Sequence, residues 1–152
     1  MIEASGCIFL SITTGRILLQ QRSSTVKHPN TWGFFGGKSE GTERPSETLY
    51  REIHEELGML PNIQKLIPVN KFVSSNKNFE YNSFVAVVNK EFIPNINEES
   101  SGYAWVNVSC CPEPLHPGAK TQLKCNEFKK KIDTIHKTFL NDANFSSSKN
   151  IA

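Results

Sequence analysis

The chain has 152 residues, enough for one compact domain and too few for two ordinary ones. Hydrophobic residues make up 38% of it and charged residues 21%, which argues against a wholly disordered chain. Lys and Arg number 17 against 15 Asp and Glu, and the formal net charge of +2 gives no bulk attraction to nucleic acid or to an anionic membrane. Any phosphate binding must therefore come from a local site.

Two apolar runs near the N-terminus predict a β-hairpin. Residues Cys7–Ile12 and Ile17–Leu19 are joined by Thr13-Thr14-Gly15, a glycine-containing turn. After a loop, Trp32–Phe35 is predicted to be a short strand that runs into Gly36-Gly37.

A helix is predicted to follow, from Pro45 to Gly58. Proline suits the first helical turn, and glycine is the common residue just past a helix end. Further strands are predicted at Ile63–Val69, Lys71–Ser74, Tyr81–Val88 and Trp105–Val108.

The C-terminal part predicts one amphipathic helix over Lys120–Leu140, because its apolar residues recur at helical spacing. From Asn141 the composition turns to Asn, Ser and Ala, so we expect a single domain over residues 1–140 and a flexible tail over 141–152. Strands, helix, strands and helix in this order predict an α/β fold, a mixed sheet with helices packed on it.

The cysteines and the N-terminus predict a reduced, cytoplasmic protein. No C-x-x-C pair occurs, and we expect four reduced and mostly packing thiols, Cys7, Cys110, Cys111 and Cys125. The first residues lack the basic start and apolar run of a signal peptide, and no run of about 18 apolar residues is present to span a membrane.

The first predicted helix separates an apolar face from an acidic one. Its apolar stripe has the spacing i, i+4, i+8: Leu49, Ile53 and Leu57. A neighbouring face carries three carboxylates at i, i+3 and i+4: Glu52, Glu55 and Glu56. A lone acidic pair usually means a solvated face, but such a face mixes Lys with Glu, since like charges at i, i+4 cost roughly 0.2–0.5 kcal/mol. The crowding near the helix C-terminus therefore predicts a hard divalent cation such as Mg²⁺.

The segment from Gly37 to Met59 also fits a longer pattern, G-x5-E-x7-R-E-U-x-E-E-x-G-U, in which U is a bulky apolar residue. The fixed positions are Gly37, Glu43, Arg51, Glu52, Ile53, Glu55, Glu56, Gly58 and Met59. With each fixed residue used at about 5–7%, a chance match is on the order of one in ten million. This is the Nudix box, and the chain resembles the Nudix hydrolase family and its MutT-like members. The resemblance implies the Nudix fold, with a mixed sheet between helices.

The resemblance extends beyond the box. Thr31–Phe34 followed by Gly36-Gly37-Lys38 looks like the usual approach to the box, although Phe35 stands where many members carry proline. Many members also have a glutamate on a loop before a tryptophan. Glu99, six residues before Trp105, fits that description, and Glu98 is its rival.

By this resemblance the protein would hydrolyse the diphosphate bond of a nucleoside diphosphate linked to another group. Mg²⁺, or Mn²⁺ in its place, would be held by Glu52, Glu55, Glu56 and the backbone carbonyl of Gly37. Arg51 would orient a box glutamate, Glu43 would tie the loop to the helix, and Gly58 would end the helix. The general base would be Glu99, Glu52 or Glu55. Metal ions supply what such a reaction needs, a lowered water pKa and neutralised phosphate charge.

The carboxylates Glu52, Glu55 and Glu56 are called the acidic cluster. Five residues outside it are candidates for contact with a small-molecule nucleotide: His28, Trp32, Phe34, Lys38 and His116. Trp32 and Phe34 have a second interpretation as core residues, and His28 as an ordinary surface histidine. Lys129-Lys130-Lys131 is read as a solvated helix face, not as a nucleic-acid site.

Three other functions are compared with hydrolysis: a non-catalytic nucleotide sensor, GDP-mannose mannosyl hydrolysis and mRNA decapping. The first two go with a depleted or altered box, whereas this box is complete. Decapping would favour a larger chain or a basic surface. Substrates compatible with the sequence are nucleoside triphosphates, nucleotide sugars, ADP-ribose and dinucleoside polyphosphates. A homodimer is also compatible with it.

Overall fold

The computed structural model describes the backbone of residues 1–151 and the side chains of residues 1–144. The strands are β1 (Ile2–Ser11), β2 (Ile17–Arg22), β3 (Trp32–Gly33), β4 (Phe35–Lys38), β5 (Ile63–Val73), β6 (Phe79–Val88) and β7 (Ser100–Val106). The helices are α1 (Pro45–Leu57), α2 (Pro117–Leu123) and α3 (Asn126–Ile151). None of the helices in this part of the chain is long and apolar enough to cross a bilayer.

Strand β1 lies at the centre of a mixed sheet. It is parallel to β6 along its whole length, and β5 pairs antiparallel with β6 at the edge. On its other side β1 pairs with β2 at Leu10 and Ile17, and nearer its N-terminus with β4. Strands β1 and β2 therefore diverge, and the segment β3–β4 lies between them. This arrangement sets Gly36 and Gly37 beside the N-terminal half of β1.

The two faces of the sheet are covered by different helices, as the period of two along a strand requires. Cys7 and Phe9 of β1 pack with α1, whereas Ile8 and Leu10 point to the opposite face with α2 and α3. The predicted apolar stripe of α1 is completely buried in the first of these cores: Leu49, Ile53 and Leu57. The α/β fold expected from the sequence, a mixed sheet between helices, is confirmed.

The helix predicted over Lys120–Leu140 is in fact two helices, α2 and α3. Leu123 and Phe128 are both buried in the same core. In one continuous helix these two side chains would point about 140° apart, at about 100° per residue. Because the helix is interrupted after Leu123, the side chains of Leu123 and Phe128 both point into the same core. Helix α3 also continues past Leu140 to Ile151, so the backbone at the start of the expected tail is helical. The division into a domain and a flexible tail stays a prediction.

Strand boundaries also differ from the expectation. The two runs on either side of Asn70 form a single edge strand, β5. Its register against β6 shifts between Pro68 and Asn70, and the strand continues through this irregularity. The short strand expected over Trp32–Phe35 is divided into β3 and β4, which pair with different partners. Strand β7 begins at Ser100 because its pairing with β2 extends that far. All four cysteines, which lie within the described residues, are free thiols, as expected, but the expectation that most of them pack in the interior is wrong: Cys7 is buried and Cys111 half-buried, whereas Cys110 and Cys125 are exposed.

Candidate active site

Arg51 joins the outer carboxylates of the site, those of Glu43, Glu52 and Glu55. Its Nε and Nη2 donate to the two carboxylate oxygens of Glu43, at 2.8 and 3.0 Å, and its Nη1 donates to Glu52 at 3.0 Å and to Glu55 at 3.3 Å. Nη2 also donates to the backbone carbonyl of Lys38, at 2.9 Å. The guanidinium lowers the pKa of Glu43 to about 2. In this geometry Arg51 contacts three box glutamates, Glu43, Glu52 and Glu55, and its bonds to Glu43 link the loop to α1.

Glu56 forms the inner part of the cluster and is 8% exposed. Its Oε1 accepts a hydrogen bond from the Gly36 backbone N–H at 3.1 Å, and its Oε2 accepts one from Gln20 Nε2 at 3.3 Å. Burial raises the pKa of Glu56 to about 8, and the negative charges of Glu52 and Glu99 add to the rise. Neither of its two donors carries a positive charge, so a cation at this position would be strongly favoured.

Glu52 lies directly against Gly37. A Cβ atom on Gly37 would overlap the Glu52 carboxylate, so a larger residue there would displace this carboxylate from the backbone of Gly37. Burial raises the pKa of Glu52, and the charges of Glu55 and Glu99 act in the same direction, although Arg51 opposes them. Three carboxylates of the site, those of Glu52, Glu56 and Glu99, thus lie within electrostatic reach of one another.

The segment that carries Glu98 and Glu99 is hydrogen-bonded to α1 and to the residue that follows β2. Asn97 Nδ2 donates to the Glu55 backbone carbonyl at 3.3 Å, and the Ser23 backbone N–H donates to the Glu99 carbonyl at 2.9 Å. Both glutamates are exposed. The charge of Glu99 acts on both Glu52 and Glu56, which favours Glu99 over Glu98 as the additional glutamate.

The donor chemistry of the cluster fits Mg²⁺ or Mn²⁺. Carboxylate and carbonyl oxygens are the hard ligands that these cations take, and the buried, proton-retaining Glu56 shows a deficit of positive charge. Among the described residues, no three carboxylate, imidazole or thiol groups converge closely enough to form a preformed metal site. Arg51 donates to Oε1 of Glu52 and to both carboxylate oxygens of Glu55, so a cation that binds these oxygens would compete with Arg51.

A cleft of about 160 Å³ adjoins the cluster, and its wall includes Gly36 and Gly37. Phe34 and His116, two of the predicted substrate contacts, line this cleft. The ring of His28 lies against that of His116, with 4.8 Å between centroids, outside the lining. Burial lowers the pKa of His116, whose Nδ1 accepts a hydrogen bond from the Gly118 N–H at 3.1 Å.

Trp32 and Lys38 lie outside the lining of the cleft. Trp32 packs against the core between the sheet and α2–α3, and its backbone bonds to Pro114 and His116. The Lys38 side chain is exposed, while its carbonyl binds Arg51. The position of Trp32 agrees with its second interpretation as a core residue, and contact of either residue with a substrate stays a prediction.

Sequence reasoning missed four residues of this region. Arg22, Tyr81 and Gln122 line the cleft, and Gln122 Nε2 donates to Ser83 Oγ at 2.6 Å. Gln20 binds Glu56. A polar residue directly after the apolar run Ile17–Leu19 was the one available signal for Gln20. Arg22, Tyr81 and Gln122 come from distant elements, so no sequence spacing connects them.

Solved structures of other proteins share the fold of this chain. The solved structure of the Nudix hydrolase RenU from Mycobacterium smegmatis is similar, with a TM-score of 0.67, 22% identity, and coverage of 88% of this chain and 86% of that one. The MutT protein of Methanosarcina mazei Go1 gives a TM-score of 0.64 at 23% identity, covering 90% of this chain and 95% of that one. These two likenesses support the fold.

Two curated proteins are similar in sequence. A Mycobacterium tuberculosis protein with the provisional name 8-oxo-dGTP diphosphatase 3 is 29% identical over 110 residues, 69% of this chain and 51% of that protein. The CTP pyrophosphohydrolase of Escherichia coli is 44% identical over 45 residues, 30% of this chain and 33% of that protein. The chain thus spans about half the length, or less, of the curated relatives it matches.

A family model described as the NUDIX domain matches residues 2–124, which include every strand, helix α1, the acidic cluster and the cleft. This match covers most of the chain, and the fold and the complete box agree with it. The chain therefore belongs to the NUDIX domain family.

Proposed function

We propose that this protein hydrolyses the diphosphate bond of a nucleoside diphosphate linked to another group, with Mg²⁺ as the cofactor. The observation that carries the proposal is the acidic cluster next to a cleft: Glu52 lies against Gly37, Glu56 binds the Gly36 N–H, and the charge of Glu99 acts on both glutamates. Nucleoside triphosphates are the first substrate class to test, because two relatives carry names for activity on CTP and 8-oxo-dGTP. The products expected from such a substrate and water are a nucleoside monophosphate and pyrophosphate.

In this proposal Glu52, Glu55, Glu56 and the Gly37 carbonyl hold the cation. When bound by these residues, Mg²⁺ would lower the pKa of water and neutralise phosphate charge. Arg51 orients Glu52 and Glu55 before binding and releases them on binding. Glu99 takes the proton of the attacking water, because its charge acts on the cluster yet it makes no bond to Arg51.

The cleft is proposed to bind the nucleoside part of the substrate. Phe34 offers an aromatic face, and His116 is held with Nδ1 as an acceptor, so its neutral ring keeps a proton on Nε2 for donation. His28 acts through its contact with His116. A homodimer and a cytoplasmic location stay predictions.

A substrate panel tests the proposal. Wild type, Glu56→Gln and the matched surface variant Glu127→Gln are assayed with Mg²⁺ on nucleoside triphosphates, ADP-ribose, nucleotide sugars and dinucleoside polyphosphates, with products resolved by chromatography. We expect turnover of one class by wild type and Glu127→Gln, and not by Glu56→Gln. No turnover across the panel, together with measurable nucleotide binding, would replace the hydrolase with a nucleotide sensor.

A second pair of variants separates the two neighbouring glutamates. Glu99→Gln is expected to lower kcat on the order of 100-fold, within the range for loss of a general base. Glu98→Gln removes the same charge one residue earlier and is expected to keep wild-type kcat. The reverse result would assign the base to Glu98.

A further inference from the structure

Gln20 is a buried polar residue in an otherwise apolar strand. It follows Ile17–Leu19 in β2, is 7% exposed, and points to the face of the sheet that packs on α1. Burying an amide is unfavourable unless its hydrogen bonds are made. Its partners therefore explain why a polar residue is kept at this position.

Both polar atoms of the Gln20 amide, Nε2 and Oε1, make hydrogen bonds. Nε2 donates to the Phe34 backbone carbonyl at 3.0 Å and to Glu56 Oε2 at 3.3 Å, and Oε1 accepts from Ser100 Oγ. A backbone carbonyl can only accept, so the nitrogen must face Phe34 and the amide has one possible orientation. The two hydrogens and the oxygen are all used.

These three bonds join the segments that carry the proposed metal site. Phe34 directly precedes β4, which contains Gly36 and Gly37, Glu56 lies in the last turn of α1, and Ser100 directly follows Glu99. Arg51 connects outer carboxylates, among them those of Glu43, Glu52 and Glu55, and makes no bond to Glu56. Gln20 is thus the inner counterpart of Arg51.

We propose that Gln20 is a positioning residue, which holds Glu56 and the Glu99 segment at the distance from Gly36 and Gly37 of β4 that cation binding requires. This inference rests on the proposed function. A neutral amide suits the task, because it orients the Glu56 carboxylate without supplying a positive charge that would compete with the cation. Hydrogen-bond partners of metal ligands act in this way in other sites.

The test uses Gln20→Met, which keeps a side chain of similar length and removes all three bonds. Gln21→Met is the matched control, because Gln21 binds Ser101 Oγ at 3.4 Å on the exposed side of the same strand pair. Two quantities are measured for each variant: the Mg²⁺ concentration at half of the Mg²⁺-induced rise in melting temperature, and kcat and KM at saturating Mg²⁺. Gln20→Asn, one methylene shorter, takes the place of Gln20→Met if that variant does not fold.

For Gln20→Met we expect the Mg²⁺ midpoint to rise and kcat to fall, each about tenfold, with KM unchanged. Gln21→Met should match wild type in all three. A variant that melts at a lower temperature without metal, yet keeps the wild-type Mg²⁺ midpoint and kcat, would make Gln20 merely structural and overturn the inference. Absence of Mg²⁺-dependent melting and turnover in wild type would instead overturn the proposed function, and this inference with it.

Discussion

Glu56 is a carboxyl group that the fold buries beside two neutral donors and two other carboxylates. Its folded-state pKa of about 8 lies above the ordinary value of 4.5, so the folded protein keeps a proton that the unfolded chain loses. Its contribution to stability is full below pH 4.5 and is lost as the pH rises through 8. Without a cation, ionised Glu56 therefore opposes folding at alkaline pH.

Glu56→Gln removes this ionisation. In EDTA we expect the melting temperature of the variant to rise relative to wild type from pH 5 to pH 9, and activity with Mg²⁺ to fall on the order of 100- to 1000-fold. Thermal melts across that pH range make the measurement, with Glu55→Gln as the control because that side chain is 57% exposed. A variant that melts below wild type at pH 9 would contradict the argument.

Glu43 titrates in the opposite sense. Its pKa is lowered to about 2 by Arg51, so its contribution to stability is present above the ordinary pKa of 4.5 and is lost as the pH falls through about 2. Glu43→Gln is expected to lower the melting temperature at pH 7, with the difference from wild type closing toward pH 2. A difference that persists at pH 2 would show that packing, and not the ion pair with Arg51, holds this loop.

At the scale of elements, α1 positions the site because both of its ends are fixed. The Glu47 carboxylate accepts from the Arg44 backbone N–H at 3.1 Å at the start, and Gly58 ends the helix with a φ of 65°. Since Glu52 and Glu56 lie one turn apart on this rigid element, their separation is set by helix geometry. The partners that they face come from β2, β4 and the segment before β7.

Gly58→Ala tests the helix end. Alanine in the left-handed region costs about 1 kcal/mol, and we expect a loss of that size in the free energy of unfolding by urea. Gly58→Asn introduces the same Cβ near Asn95 but tolerates a positive φ better, so its loss should be smaller. Equal losses for the two variants would attribute the effect to contact with Asn95.

At the scale of the whole molecule, the acidic cluster joins α1 to strands from both halves of the sheet. A cation that binds only the folded protein must then stabilise the entire domain by mass action. Mg²⁺ at 100 times its dissociation constant should add about 2.7 kcal/mol. Melts of wild type against Mg²⁺ concentration, with Glu56→Gln as the control, measure this. An equal rise in both proteins would place the bound Mg²⁺ elsewhere.

The sequence predicted much of the fold because local signals were strong. The apolar stripe of Leu49, Ile53 and Leu57, with Pro45 and Gly58 at the ends, determined α1 almost to the residue. The two C-terminal helices were predicted as one, because the burial of both Leu123 and Phe128 depends on the sheet beneath them. Strand β5 was predicted as two strands for a similar reason, because its continuity depends on its pairing with β6.

For the candidate site, the box spacing by itself determined the acidic face of α1 and its family resemblance, because residues three and four apart share a helix face in any helix. Only the tertiary structure decided that Glu56 is buried while Glu55 is exposed. It alone brought Gln20 to Glu56, because strand pairing and not sequence distance sets which side chains meet across a sheet. It also decided which of the predicted substrate contacts line the cleft, since those residues come from segments far apart in the chain.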